Sequence, residues 1–353
     1  MPSISNSNLI TKMFINKFSI TFFLILGITI FSSCKKNEVK NDTQSNKTMK
    51  VGLVFDVGGK GDKSFNDAAY NGLVRAKSDF GIDFEVIDPG DGSDRESALR
   101  KLASNNDIGL IFGIGFIFTE DINNIAKDFP GKKFGCIDYS VDTTKTSPPN
   151  LIALEFKEEE GSFLIGAIAG LTTKTNKVGF LGGMESALIK KFEEGYKQGV
   201  SYVNPDCKLL IAYVSVTGDG FKNPGKGKEI SLSQYQNGAD IIYHASGLSG
   251  LGLFEAAKTE KKLAIGVDLD QYKEAPGFVL TSMVKMVDES IYQTIKEFKN
   301  GKFKGGIKSL GLKENGVNYV YDENNKNLFP ENVHRKVEEI KNKIISGEIS
   351  VKK

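Results

Sequence analysis

The chain has 353 residues, with 46 basic and 44 acidic side chains and a formal net charge of +2. This balance provides no excess of basic charge for binding nucleic acid, so we expect no nucleic-acid partner. Two histidines and three cysteines leave little material for a histidine metal site, a Ser-His-Asp triad or a disulfide framework. The sequence therefore predicts neither a metal nor a cofactor.

The amino terminus is typical of an export signal. Lys12 and Lys17 precede an apolar stretch at 18–31, which is shorter than a standard membrane span. Two serines and Cys34 follow, in a pattern that resembles a bacterial lipobox whose cysteine is cleaved and lipidated. An ordinary secretory signal with a chance cysteine is the alternative, and translation could also start at Met13.

Residues 35–49 are rich in Lys, Asn, Ser and Thr and contain too little apolar material to pack. They predict a flexible linker between the anchor and the folded part of the chain. The leader (1–34) and this linker together indicate a protein of the bacterial cell envelope, lipid-anchored to the periplasmic face of the inner membrane or to the outer surface.

Short apolar runs alternate with amphipathic stretches along the first half of the remaining chain. Strands are predicted at 50–55, 83–88, 108–112, 133–137 and 151–155. Helices are predicted at 66–80, 94–104 and 119–128. Strands that are apolar almost throughout, separated by helices, favour a parallel sheet covered on both faces.

The second half repeats this theme, beginning with KVGFLGG at 177–183, which is similar to KVGLVFDVGG at 50–59. Further strands are predicted at 208–214, 240–244, 263–267, 278–283 and 307–312, and helices at 157–172, 186–202, 226–237, 249–260, 287–299 and 332–346. About 320 residues remain after the leader, more than one core usually holds. We predict two doubly wound, mainly parallel α/β lobes joined by a hinge.

The first lobe is predicted to comprise 50–154 and 285–306, and the second 155–284 and 307–353. The chain would then cross between the lobes near 153–157, 283–286 and 303–307.

Polar and aromatic residues stand just after predicted strands, where ligands bind in open α/β sheets, or, for Phe65 and Asn66, where the first loop ends and the first helix begins. They are Asp56, Phe65, Asn66, Asp138, His244–Gly247, Asp268, Asp270 and Lys285. Because these residues come from distant parts of the chain, we expect them to meet at one cleft between the lobes.

Motifs for catalysis fail on their spacing. In GGKGDKS (58–64), Asp62 stands where a phosphate-binding loop needs glycine. Phe118 occupies the third glycine position of a dinucleotide fingerprint that begins at FGIGF, and SGLSGLG (246–252) lacks the nucleophile-elbow spacing. We therefore expect a binding protein and not an enzyme.

The runs KVGLVFDVGGKGDKSFNDAAYNGL, GIGF, EEGSFLIGAIAG, GKGKE, GADIIYHASGLSGLGLFEAAK, AIGVDLDQ and VLTSMVK closely resemble the basic membrane protein family. The resemblance extends from about Lys50 to the last helix. It implies a type I periplasmic-binding-protein-like fold and a lipoprotein that captures purine nucleosides, such as adenosine, guanosine or inosine, for an ABC transporter.

The resemblance implies that the base stacks on Phe65 of SFND and that Phe221 forms the second jaw. Two such rings would each contribute about 0.5–1.5 kcal/mol beyond area burial. Phe65 could instead be a hydrophobic staple of its helix. Asn66 suits a base edge, or it could cap the same helix.

The remaining ligand residues follow the other strands. Asp268 resembles the ribose-binding acid of the family, and Lys285 fits as its cationic partner or as a second hydroxyl contact. Asp56 and Asp138 resemble the other cleft acids, although each could be a solvated loop residue. Gly247 would allow the backbone to approach the ligand.

The expected mechanism is hinge closure of a monomer around its ligand, followed by recognition by a permease with its ATPase. Two alternatives stay open: a protein of the same fold that binds a sugar or another small ligand, and a surface adhesin with a vestigial cleft.

Overall fold

The computed structural model describes residues 48–90, 93–142 and 147–353. The predicted leader, its Cys34 and the linker up to residue 47 lie outside the described residues. Among those that are described, no helix combines the length and apolar character needed to cross a membrane.

Strands and helices alternate through the described residues. The strands are β1 (Lys50–Val54), β2 (Asp83–Ile87), β3 (Ile108–Ile114), β4 (Lys133–Ile137), β5 (Leu151–Phe156), β6 (Lys177–Met184), β7 (Lys208–Ser215), β8 (Ile241–Ala245), β9 (Leu263–Asp268), β10 (Val279–Lys285), β11 (Gly306–Leu310) and β12 (Val317–Tyr319). The α-helices are α1 (Phe65–Phe80), α2 (Arg95–Ser104), α3 (Thr119–Asp128), α4 (Glu158–Thr172), α5 (Ala187–Val203), α6 (Pro224–Gln236), α7 (Gly250–Glu260), α8 (Val287–Lys299) and α9 (Glu331–Ser346).

The strands form two sheets. The first has the order β11-β5-β4-β3-β1-β2, and all its neighbouring strands are parallel. The second has the order β12-β10-β9-β8-β6-β7, and β12 alone in it runs antiparallel to its neighbour. The strand order reverses beside β1 and β6, as in doubly wound sheets. The predicted class, two mainly parallel α/β lobes, is confirmed.

The last part of the chain departs from the predicted boundaries. Strand β11 pairs with β5 in the first sheet, whereas the sequence boundary assigned 307 and everything after it to the second lobe. The chain therefore crosses between the sheets at 157, at 286 and at 311–316, and the third crossing lies later than the predicted 303–307. The sequence also missed β12, since three residues at a sheet edge are too few to give a periodic signal.

Helix α4 begins at the first crossing and is the most deeply packed helix next to the hinge. Residues 161–170 are all buried, as expected of a helix that is apolar on nearly every side. Its backbone lies directly against α5 through glycines. A Cβ atom on Gly199 would lie 1.9 Å from the carbonyl oxygen of Phe163, and one on Gly166 would lie 2.1 Å from that of Tyr196.

We predict that Gly199→Ala lowers the free energy of unfolding by about 1–3 kcal/mol, because the added methyl group forces the two helices apart. Urea denaturation measures the change. Gly131→Ala is the matched control, since a Cβ atom there has no neighbour within 4 Å. Equal stability of the two variants would contradict close α4–α5 packing.

Candidate functional site

A cavity lies between the carboxyl ends of the two sheets. The sequence-predicted residues that line it are Asp56, Phe65, Asp138, Phe221, Gly247, Asp268 and Lys285. Residues more than 200 positions apart in the chain are thus brought to one place, because strand ends of both sheets face the same cleft.

Lys285 lies at the centre of this cleft, with only 2% of its side chain exposed. Its Nζ is 2.7 Å from Asp138 Oδ2, 3.6 Å from Glu158 Oε1 and 3.9 Å from Asp268 Oδ1. Burial acts to lower the pKa of Lys285, but the three carboxylates outweigh it and raise that pKa above its ordinary value. Lys285 therefore stays charged. Its ion pairs connect Asp138 of the first lobe and Asp268 of the second lobe with Glu158 at the start of α4.

Aromatic rings surround the same ammonium group. Its Nζ lies 4.6 Å from the ring centroid of Phe65 and 5.4 Å from those of Phe156 and Phe192. Rings at these distances attract the cation through their π faces. Phe65 thus contributes to the cleft directly and is not only a staple of its helix.

Two of the cleft acids have an uncommon backbone conformation. Asp138 directly follows β4 with φ of 59°, and Asp268 ends β9 with φ of 66°. Left-handed backbone is unfavourable for residues other than glycine, although aspartate tolerates it better than most. Such strain is concentrated at functional sites, where the surrounding structure maintains it.

Asp56 is held by the start of α1. Its backbone N–H donates to Asn66 Oδ1 at 2.8 Å, and its own Oδ1 accepts from the N–H of Val57 at 2.7 Å. Burial is the main cause that raises the pKa of Asp56 to about 7, and the nearby charges of Asp138 and Asp62 add to it. The carboxyl group therefore changes its protonation near neutral pH.

Asn66 is not among the residues that line the cavity. Its side chain is buried, with Oδ1 on the Asp56 N–H and Nδ2 donating to Asp62 Oδ2 at 3.1 Å. The side chain of Asp62 satisfies the start of α1, since it accepts from the N–H groups of Ser64, Asn66 and Asp67. A direct contact between Asn66 and a ligand stays a prediction.

Phe221 reaches the cavity from the second lobe, in the short 3₁₀ turn Gly218–Phe221 after β7. Its ring packs on Gly183 of β6, where a Cβ atom would lie 2.4 Å from Phe221 Cε1. Phe65 begins α1 in the first lobe, so the two rings come from opposite sides of the cleft.

Sequence reasoning missed several residues around the cleft. Phe116, Leu188 and Phe192 line the cavity, and Glu158 is completely buried beside Lys285. Ser246 lines it too, within the range His244–Gly247 that the sequence placed at a strand end. Phe116 and Glu158 stand just after strands β3 and β5, so the rule that selected Asp56 could have found them. Leu188 and Phe192 lie on α5, and a rule based on strand ends cannot detect helix residues.

Two α/β lobes with an acid-lined cleft between their strand ends define a solute-binding protein. The family described as "ABC transporter substrate-binding protein PnrA-like" (Bmp) matches residues 49–353. The chain belongs to this Bmp family, as the sequence predicted. The description of this family is that of a substrate-binding component of an ABC transporter.

Named relatives agree with this assignment. Basic membrane protein A of Borreliella afzelii is 36% identical, over 86% of this chain and 91% of its own. An uncharacterised lipoprotein of Pyrococcus abyssi is 35% identical, over 84% of this chain and 74% of its own. An ABC transporter solute-binding protein from Aeropyrum pernix K1 has a similar structure, with a TM-score of 0.77, 31% identity and coverage of 86% of this chain and 92% of its own. The predicted type I periplasmic-binding-protein-like fold is confirmed.

We predict that the ligand-free protein loses stability as pH rises from about 4 to 7. The pKa of Asp56 is about 7 when folded, against about 3.9 in an unfolded chain, so the folded state holds a proton that the unfolded state releases. The proton on Asp56 changes the free energy of unfolding by at most about 1.4 kcal/mol per pH unit. Its stabilising effect is fully present below the pKa of the unfolded chain and is lost as pH rises through the folded pKa.

Urea denaturation between pH 4.5 and 8 measures this slope. Asp56→Asn should flatten it, since the amide does not titrate. The same pH dependence in both proteins would rule out Asp56 as a source of the effect.

Proposed function

We propose that this protein is a lipid-anchored receptor that captures purine nucleosides for an ABC importer. The observation that carries the proposal is the composition of the cleft, in which two phenyl rings from opposite lobes accompany buried carboxylates and one ammonium group. A flat aromatic base with hydroxyl and N–H donors is complementary to this set. The rings stack on the base, and the carboxylates accept from the donors.

The residue roles follow from this fit. Phe65 and Phe221 stack on the two faces of the base. Asp268 accepts from ribose hydroxyls, with Lys285 as its charged partner, and Asp56 and Asp138 accept from other donors of the ligand. Asp138 Oδ1 is buried and has no hydrogen-bond partner among the described residues, which supports a donor from the ligand in that place.

Transport requires the lobes to close on the ligand and a permease to recognise the closed form. The two sheets are joined by three short crossings, which suits a hinge. The relatives named lipoprotein and membrane protein support attachment through Cys34 to a bacterial membrane. We propose that the receptor acts as a monomer and that its permease partner has an ATPase that powers import.

We predict that Asp268→Asn weakens inosine binding by about 10- to 100-fold, because a charge-assisted hydrogen bond to the sugar is lost. Isothermal titration calorimetry measures the change. Asp270→Asn, an exposed position two residues later, is the matched control and should keep wild-type affinity. Equal affinities of the two variants for inosine would reject the assigned role of Asp268. If the wild-type protein binds a monosaccharide but no nucleoside, the proposed ligand is wrong.

We also predict that a purine nucleoside 5′-monophosphate binds more than about 100-fold more weakly than its nucleoside. Among the described cavity-lining residues, Lys285 is the only cation, and it faces three carboxylates. A phosphate would add a like charge there, which costs several kcal/mol. Competition against bound inosine tests this; a nucleotide that competes as well as the nucleoside would show that phosphate is accommodated.

A further inference from the structure

Ser246 directly follows β8 and lines the cavity, with 1% of its surface exposed. Its hydroxyl lies 3.2 Å from His244 Nδ1, the polar partner that the described residues give it. A serine hydroxyl can donate or accept, so its use to a ligand depends on where its proton is held. The buried side chains of Gln271 and His244 determine the direction in which the Ser246 O–H points.

Gln271 sets the direction of the first hydrogen bond in this series, because the orientation of its amide group is fixed. Its Oε1 accepts from the backbone N–H of Val267 at 2.8 Å, and its Nε2 donates to the carbonyl oxygen of Lys63 at 2.9 Å. Because one backbone partner can only donate and the other can only accept, the two ends of the amide are assigned without ambiguity.

His244 links the oriented amide of Gln271 to the hydroxyl group of Ser246. Its Nε2 lies 3.0 Å from Gln271 Oε1, which is an acceptor, so Nε2 must carry the proton. The ring is fully buried, and burial lowers the pKa of His244 to about 4. In the neutral ring Nδ1 is therefore an acceptor, and the Ser246 hydroxyl must donate to it.

The Ser246 oxygen consequently has its proton directed away from the cleft and presents lone pairs on the cavity side. Its position is next to the predicted ribose acid, since β8 and β9 are neighbouring parallel strands and Asp268 ends β9. The Gln271–Lys63 hydrogen bond also joins the second lobe to the loop before α1.

We propose that Ser246 is a ligand-binding residue whose oxygen accepts a hydrogen bond from a sugar hydroxyl of the nucleoside, with His244 and Gln271 as positioning residues. This inference rests on the proposed function and adds to it a requirement for a donor hydroxyl beside Asp268. A ligand with an ether oxygen or a hydrogen atom in that place gains nothing from Ser246.

The test compares wild type and Ser246→Ala with inosine, 2′-deoxyinosine and 3′-deoxyinosine by calorimetry. Ser246→Ala should weaken inosine binding about 3- to 10-fold. For one of the two deoxynucleosides, wild type and variant should bind within about twofold of each other, because that ligand lacks the contacted hydroxyl. Ser246→Thr keeps the hydroxyl and should retain most of the affinity for inosine.

Equal losses with all three nucleosides, or no loss with any of them, would overturn the role of Ser246 while leaving nucleoside binding intact. If the wild type binds none of the three, the proposed function itself fails.

A second measurement needs no ligand and no variant. The ¹⁵N shifts of the His244 ring should report a neutral imidazole protonated at Nε2 from pH 8 down to about 5. A ring protonated at Nδ1, or one that titrates near pH 6.5, would overturn the assigned orientation of the Ser246 hydroxyl.

Discussion

The buried ammonium group of Lys285 is the interaction on which the cleft depends. It stands at the end of β10, immediately before the chain returns to the first lobe, and it contacts Asp138 from the first lobe and Asp268 from the second. Without this cation, several carboxylates would face one another in a space from which water is largely excluded. Removing one partner of a buried ionic group typically costs several kcal/mol. Lys285 thus allows an acid-rich cleft to exist in a folded chain.

The charges do not cancel, and this imbalance has a functional consequence. Glu158, at the start of α4, also faces Lys285, and burial raises the pKa of this glutamate above its ordinary value. The cleft therefore has more acceptors than its own lysine can satisfy. A ligand that supplies several donors completes the set, whereas an anionic ligand adds to the excess of negative charge.

The fold determines where these groups lie. Parallel strands bring Asp56, Asp138, Asp268 and Lys285 to strand ends that face one cleft, and the left-handed backbone of Asp138 and Asp268 occurs at two of these ends. The close contact between α4 and α5, made possible by glycines, places Leu188 and Phe192 of α5 on the same cavity. The site is thus built on rigid elements, and the hinge lies at its edge.

Much of this arrangement was predictable from the sequence. Short apolar runs predicted the strands β1 to β10, and amphipathic stretches predicted the α-helices, to within a few residues. Both patterns are local because each element buries a face of its own. Strand β12 was missed and β11 was assigned to the wrong lobe, since the pairing partner of a short edge strand depends on tertiary contacts that no local pattern encodes. The same reason explains the missed helix residues: Leu188 and Phe192 line the cavity only because α5 packs beside the cleft.

We propose that the cleft holds a purine nucleoside, and the chemical identity of the molecule that the protein retains tests this proposal. The purified protein is incubated with purine and pyrimidine nucleosides, nucleotides and monosaccharides at equal concentrations, passed through a desalting column and denatured, and the released molecules are identified by mass spectrometry. We predict release of a purine nucleoside at about one molecule per chain. Release of a monosaccharide or a nucleotide, or of no small molecule, would contradict it.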